Sequence, residues 1–151
     1  MLIKTAHLGE VEYEEKNVIT FSDGLPGFET YNKFIIVLSN DASLPFHFLQ
    51  SVENEEIAFV ITDPFLFINN YDFEISDDVV NKLKITSPGD LSIYSITTIP
   101  SKIENTSINL AAPVIVNNTN NMAKQVILSE YADIKHYIFD KNSKGVVWCW
   151  F

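Results

Sequence analysis

Three features of the sequence predict a mostly β fold: a small, antiparallel, partly open β-barrel-like domain with one or two short helices. Ile, Val and Thr contribute 18, 12 and 9 of the 151 residues. β-Branched side chains are stiff at χ1 and pack well on a pleated surface. Short apolar or alternating runs recur along the chain, each closed by Gly, Pro, Asn or Asp. Only one stretch carries convincing helical spacing. The runs predict strands near 2–7, 10–14, 18–21, 33–38, 46–50, 57–62, 66–75, 91–99, 106–110, 113–117 and 124–128. Alternation is clearest in Glu10–Glu14 and Ser107–Leu110, where apolar and polar residues take opposite faces. In Leu91–Ile96 the apolar phase slips by one residue, which predicts a bulge. Ser76–Lys84 starts with a good N-cap and two acids, ends in lysines, and spaces Val79, Val80 and Leu83 helically. It predicts a helix of two to three turns. A further helical turn is expected over 129–136. No repeat, low-complexity stretch or linker divides the chain.

Composition narrows the function. Ten basic against twenty acidic residues give a net charge of −10, and every basic residue is Lys. Without the planar guanidinium fork and a basic surface, direct nucleic-acid binding is not expected. An anionic membrane is disfavoured on the same electrostatic ground, whereas a basic protein partner is accommodated. The single Cys149 has no partner for a disulfide or a zinc site. The first residues carry no apolar stretch of signal-peptide length. The longest apolar runs, such as Phe34–Leu38, are strand-sized, far short of the roughly 20 residues a membrane helix needs. A reducing cytoplasm is the expected compartment.

Enzyme signatures are absent: no nucleophile elbow, no phosphate-cradling glycine loop, no H-E-x-x-H. His7, His47 and His136 lie far apart in the sequence, so neither a metal nor a cofactor is expected. Asp23-Gly24-Leu25-Pro26-Gly27-Phe28-Glu29 specifies a tight loop, since Pro26 fixes φ and either glycine can take φ > 0. Pro64 ends the ladder after 57–62 and pushes Asp63 towards an extended conformation. Alternation puts Glu10, Glu12 and Glu14 on one face, and Asp72 and Glu74 on another that Asp77 and Asp78 prolong. Such acids form either a solvated face that discourages edge-to-edge pairing or a docking surface for a Lys/Arg-rich partner.

Several of these pieces occur in a characteristic order. Ile19-Thr20-Phe21 leads into Gly24–Glu29. Phe48–Glu53, Ala58–Phe65, Tyr71–Ile75, Asn109–Asn117 and Lys124–Leu128 follow. The series resembles the FliW family of flagellar assembly factors over residues 1–130. The resemblance implies a non-enzymatic cytoplasmic protein with a β-barrel-like fold that binds flagellin and the RNA-binding translational repressor CsrA. Flagellin accumulating in the cell would capture the protein and free CsrA to repress flagellin translation. The candidate partner-binding residues are Glu53, Asp63, Pro64, Asp72, Glu74, Asp77 and Asp78, with Gly24, Pro26 and Gly27 shaping the loop. Two places depart from the family: the Asn117–Met122 turn replaces a Gly/Lys-rich one, and the end of the chain has no evident counterpart. Residues 131–151 are therefore treated as a C-terminal extension. Its six-residue apolar end, Val146–Phe151, reads as a lineage-specific strand, a partner-binding tail or a cloning remnant foreign to the protein. Two rival functions remain: a ligand-binding barrel with an apolar cavity, and a hydrolase whose site assembles only on folding.

Overall fold

A computed structural model describes residues 1–6, 8–38, 45–68, 70–131 and 134–139, and among these the alternating and β-branched runs fold into eleven strands. Strands β1 (Leu2–Thr5) and β2 (Gly9–Glu12) make an antiparallel hairpin of their own. Next, β3 (Ile19–Phe21), β4 (Lys33–Val37), β5 (Phe46–Ser51), β6 (Ala58–Thr62) and β7 (Leu91–Thr98) run as an antiparallel meander. After the short β8 (Ser107–Ile108) come β9 (Val114–Asn117), β10 (Met122–Gln125) and β11 (His136–Tyr137). The pairing Ile93↔Ile115 joins β7 to β9, and β10 lies beside β3, so seven strands close into a barrel. Every barrel pair is antiparallel except β10–β3, where Met122↔Thr20 and Ala123↔Phe21 run parallel. Beyond the ring, β8 and β11 extend the sheet from the end of β7.

The barrel is filled by side chains. Phe21, Phe34, Leu49, Ile61, Val114 and Val116 pack in one buried cluster, with Phe21 and Phe34 edge to face at 5.4 Å. A second cluster lies outside the ring. Val60, which alternates with interior Phe59 and Ile61, packs there with Phe46, Tyr71, Ile108, Leu128 and Phe139. Phe67, Ile68, Tyr71, Phe73, Val126, Leu128, Tyr131, Ile138 and Phe139 thus form a second layer over the barrel wall. Helix α1 (Asp77–Leu83) is N-capped by Ser76, as its sequence expects, and buries Val79 and Leu83 against Ile115 of β9.

Three local expectations fail for identifiable reasons. Among the described residues no ladder forms over 66–75: a 3-10 turn spans Pro64–Leu66, and 71–76 joins no strand. Its alternation nevertheless persists in burial, with Tyr71 buried, Phe73 and Ile75 half-buried, and Asp72 and Glu74 exposed. The phase slip in β7 is no bulge, because the registers run unbroken along β9 and β6. Leu91 faces the α1 cluster while Tyr94 and Ile96 face the interior, so both sides of this strand are covered. Over 129–136 the described residues form no helix, and His136 instead starts β11. Residues 140–151, including Cys149 and the apolar end, lie outside the described residues.

Candidate functional site

The segment 71–76 carries Asp72 and Glu74 and leads into Asp77 and Asp78, and aromatic groups hold it. The buried Tyr71 hydroxyl donates to Leu110 O at 2.6 Å. Its ring meets Tyr131 at 4.9 Å and Phe73 at 5.1 Å. Burial, with a smaller contribution from Tyr131, pushes the Tyr71 phenol well above its ordinary range, so it stays a neutral donor. The Tyr131 hydroxyl accepts from Asp72 N at 2.9 Å and lies within donating distance of Asn70 O (3.1 Å) and Asp72 O (3.0 Å). Its one proton serves either carbonyl in turn. Side-chain hydroxyls thus take the place of a strand partner.

Grooves open along this segment. One of about 590 Å³ is lined by Asp72, Phe73, Glu74, Ile75, Ser76 and Asp77, with Glu130 contributing a fourth carboxylate. A second, of about 500 Å³, shares Phe73 and Ile75 and adds Asp63, Phe65, Leu91 and Tyr94. A third, of about 370 Å³, lies between Phe73, Ile75, Val80, Ile85, Pro88 and Leu91. Among the described residues no lysine lines any of the three. The combination is an apolar floor with an acidic rim, suited to a ligand that brings apolar and cationic groups together.

The other candidates take different places. Asp63 caps the 3-10 turn, accepting from Phe65 N at 2.9 Å, and Pro64 is its buried first residue. Asp78 lies exposed in the first turn of α1 and lines none of the grooves. Glu53 lines none of them either; its Oε1 accepts from Asn32 N (2.6 Å) and Lys33 N (2.9 Å), which secures the entry to β4. In the glycine loop, Phe28 N donates to Leu25 O at 2.7 Å across Pro26-Gly27, and φ at Gly27 is +85°. A proline followed by a positive-φ glycine is a type II turn. Gly24 has φ +68°. Sequence reasoning missed Glu130, whose only signal is an acid near the end of the second layer. It also missed what Asp23 does. That carboxylate binds Lys82 of α1 at 2.6 Å and Lys124 of β10 at 2.7 Å. Hydrogen bonds from Lys124 and then Lys82 hold its carboxyl below the usual carboxylate range. Among the described residues no group of three or more His, Cys, Asp or Glu gathers to hold a metal ion.

Comparison with known proteins adds lineage to this geometry. The family model described as FliW protein matches residues 2–138. A flagellar assembly factor FliW from Alkaliphilus metalliredigens is 45% identical over 145 residues, covering 95% of this chain and 90% of the relative. Its counterpart from Ruminiclostridium cellulolyticum is 42% identical over 149 residues, covering 97% and 100%. A crystal structure of the flagellar assembly factor FliW superimposes with a TM-score of 0.87 at 31% identity, covering 95% of this chain and all of that one.

Proposed function

The chain belongs to the FliW family of flagellar assembly factors, and from that premise we propose that it is a cytoplasmic binding protein that engages flagellin and antagonises the translational repressor CsrA. The observation that carries the reading is the groove rimmed by Asp72, Glu74, Asp77 and Glu130, with no lysine along it among the described residues. A basic partner gains long-range attraction from a chain of net charge −10 and finds apolar side chains beneath the carboxylates. RNA recognition then belongs to the partner, and this chain supplies the surface that removes it from RNA. A ligand-binding barrel is less well supported, because Phe21, Phe34 and Leu49 occupy the barrel interior.

The test is a gel-shift titration. Added to a preformed CsrA–RNA complex, the protein should release the RNA, and flagellin added next should restore the complex. Retardation of RNA by this protein alone at physiological salt would overturn the reading, as would failure to release it.

A further inference from the structure

The dipeptide Asp23-Gly24 occurs once, and the sequence holds no other Asp-Gly and no Asn-Gly pair. We propose that it is a latent site of aspartate isomerisation, which Lys82 and Lys124 hold shut in the folded protein. The reaction needs only water. The Gly24 nitrogen bonds to Asp23 Cγ and gives up its proton, a carboxyl oxygen departs as water, and a five-membered succinimide results. Water then opens the ring. Cleavage of the new N–Cγ bond restores aspartate; cleavage of the original peptide bond leaves Gly24 joined through Cγ, which is isoaspartate. One water leaves and one returns, so the product has the mass of the starting chain. Glycine favours the step because no side chain shields its nitrogen and its backbone is the freest to bend towards the ring.

Each part of that step meets a contact that opposes it. The first acts on the carboxylate: Asp23 Oδ2 lies 2.6 Å from Lys82 Nζ and 2.7 Å from Lys124 Nζ. An oxygen leaves as water from the protonated acid, whereas hydrogen bonds from Lys124 and then Lys82 keep this carboxyl ionised. The second acts on the nucleophile. Gly24 N donates to Phe21 O at 2.8 Å, and Gly24 is buried, so the nitrogen must surrender that bond before it attacks. The third is room. A Cβ on Gly24 would lie 2.5 Å from Glu29 Cα, so the backbone of Glu29 closes one side of the residue against any swing. Water is at hand throughout, because Asp23 itself is exposed. Once formed, the product does not regain the clamp. Isoaspartate lengthens the main chain by one carbon and shortens the carboxylate's stem by one, which draws the group back from α1 and β10.

The test follows the tryptic peptide Asn17–Lys33, in which Asp23 is the sole aspartate. The full chain is kept for several weeks at 37 °C and neutral pH and then digested. Reversed-phase chromatography against a synthetic standard resolves the isomer of unchanged mass. The free peptide, aged alongside, gives the unrestrained rate. The folded protein should isomerise many-fold more slowly than the free peptide. Lys82→Met combined with Lys124→Met, shown to be folded by far-UV circular dichroism, should isomerise several-fold faster than the unsubstituted protein. Methionine keeps an apolar stem and removes the ammonium group, and neither position lies in the peptide measured. Should the double variant not fold, Lys82→Met alone, at a half-exposed helical position, should still raise the rate, by a smaller factor. Wild-type protein that isomerises as fast as the free peptide would overturn the proposal. So would folded variants no faster than wild type, or slower, since the lysines would then be idle or would promote the attack. None of these measurements involves a partner, so their failure leaves the partner reading intact.

Discussion

Two glycines in one loop face different demands, and the difference is measurable. A Cβ on Gly24 would lie 2.5 Å from Glu29 Cα and 2.8 Å from Glu29 O, both backbone atoms that cannot step aside. At Gly27 a Cβ would meet nothing within 4 Å, and only φ +85° opposes it. Gly27→Ala should therefore cost about 1–2 kcal/mol, the ordinary left-handed penalty. Gly24→Ala should cost more, because the steric clash adds to the same penalty. Urea unfolding of both variants checks the order, and equal midpoints would contradict it. Glu29 supports the turn from the other side: its Oε1 accepts from Gly27 N at 3.1 Å, which lowers its carboxyl pKa. The asparagines of the 117–122 turn have comparably local work. Asn117 and Asn120 donate to Leu83 O at 2.9 and 3.0 Å and satisfy a carbonyl that the end of α1 leaves open. Asn121 takes φ +56°, a conformation asparagine tolerates better than most residues.

Between elements, Asp23 is the junction. Its carboxylate ties the glycine loop to α1 and to β10 through two lysines at once. Because the folded pKa lies below the ordinary carboxylate value of 3.8, the contribution is fully present above that pH. It is lost as pH falls through the lower folded value. The Asp23 side chain is 40% exposed, so solvent screening keeps the contribution small, about 0.5–1 kcal/mol for both pairs together. Asp23→Asn should lower the melting temperature at pH 7 and converge with wild type only as the pH falls through the lowered folded pKa of Asp23. A difference that persists undiminished in acid would assign the effect to packing instead. The 71–76 segment makes the complementary point. Its period-two burial was legible because Tyr71, Phe73 and Ile75 are apolar, yet among the described residues it pairs with no strand. Periodicity reports which side faces a core, and here that core is a second layer outside the barrel. Hydroxyls of Tyr71 and Tyr131 supply what a ladder would have.

At the scale of the whole molecule, charge governs encounter more than grip. Reversing Asp72 and Glu74 to Lys adds two charges at each site and moves the net charge from −10 to −6. Both residues are exposed and rim the same groove, so the fold should survive. Each exposed pair is worth only about 0.2–1 kcal/mol, which makes the double change the informative one. Association with CsrA should slow several-fold at low salt. The difference should shrink once the Debye length falls below its physiological value of about 8 Å. Stopped-flow rates at two ionic strengths measure it. Identical rates for the two proteins would leave these acids as a solvated face.

The sequence alone determined the strand alternation, the proline–glycine turn, the capped helix at 76–84, the ordered stretches shared with the FliW family and the acidic, arginine-free surface. These properties are set by neighbours within a few residues or by composition, so no fold is needed to read them. Only the tertiary structure decided that β7 meets β9 to close the ring and that β10 runs parallel to β3. Only it brought Lys124 to Asp23 across 101 residues, and set Glu130 beside Asp72 and Glu74 while leaving Glu53 elsewhere. Such meetings depend on strand register and on how each long connection returns. A carboxylate in the sequence looks the same whether it will cap a turn, clamp two lysines or rim a groove. Its role comes from which donors the closed barrel carries to it.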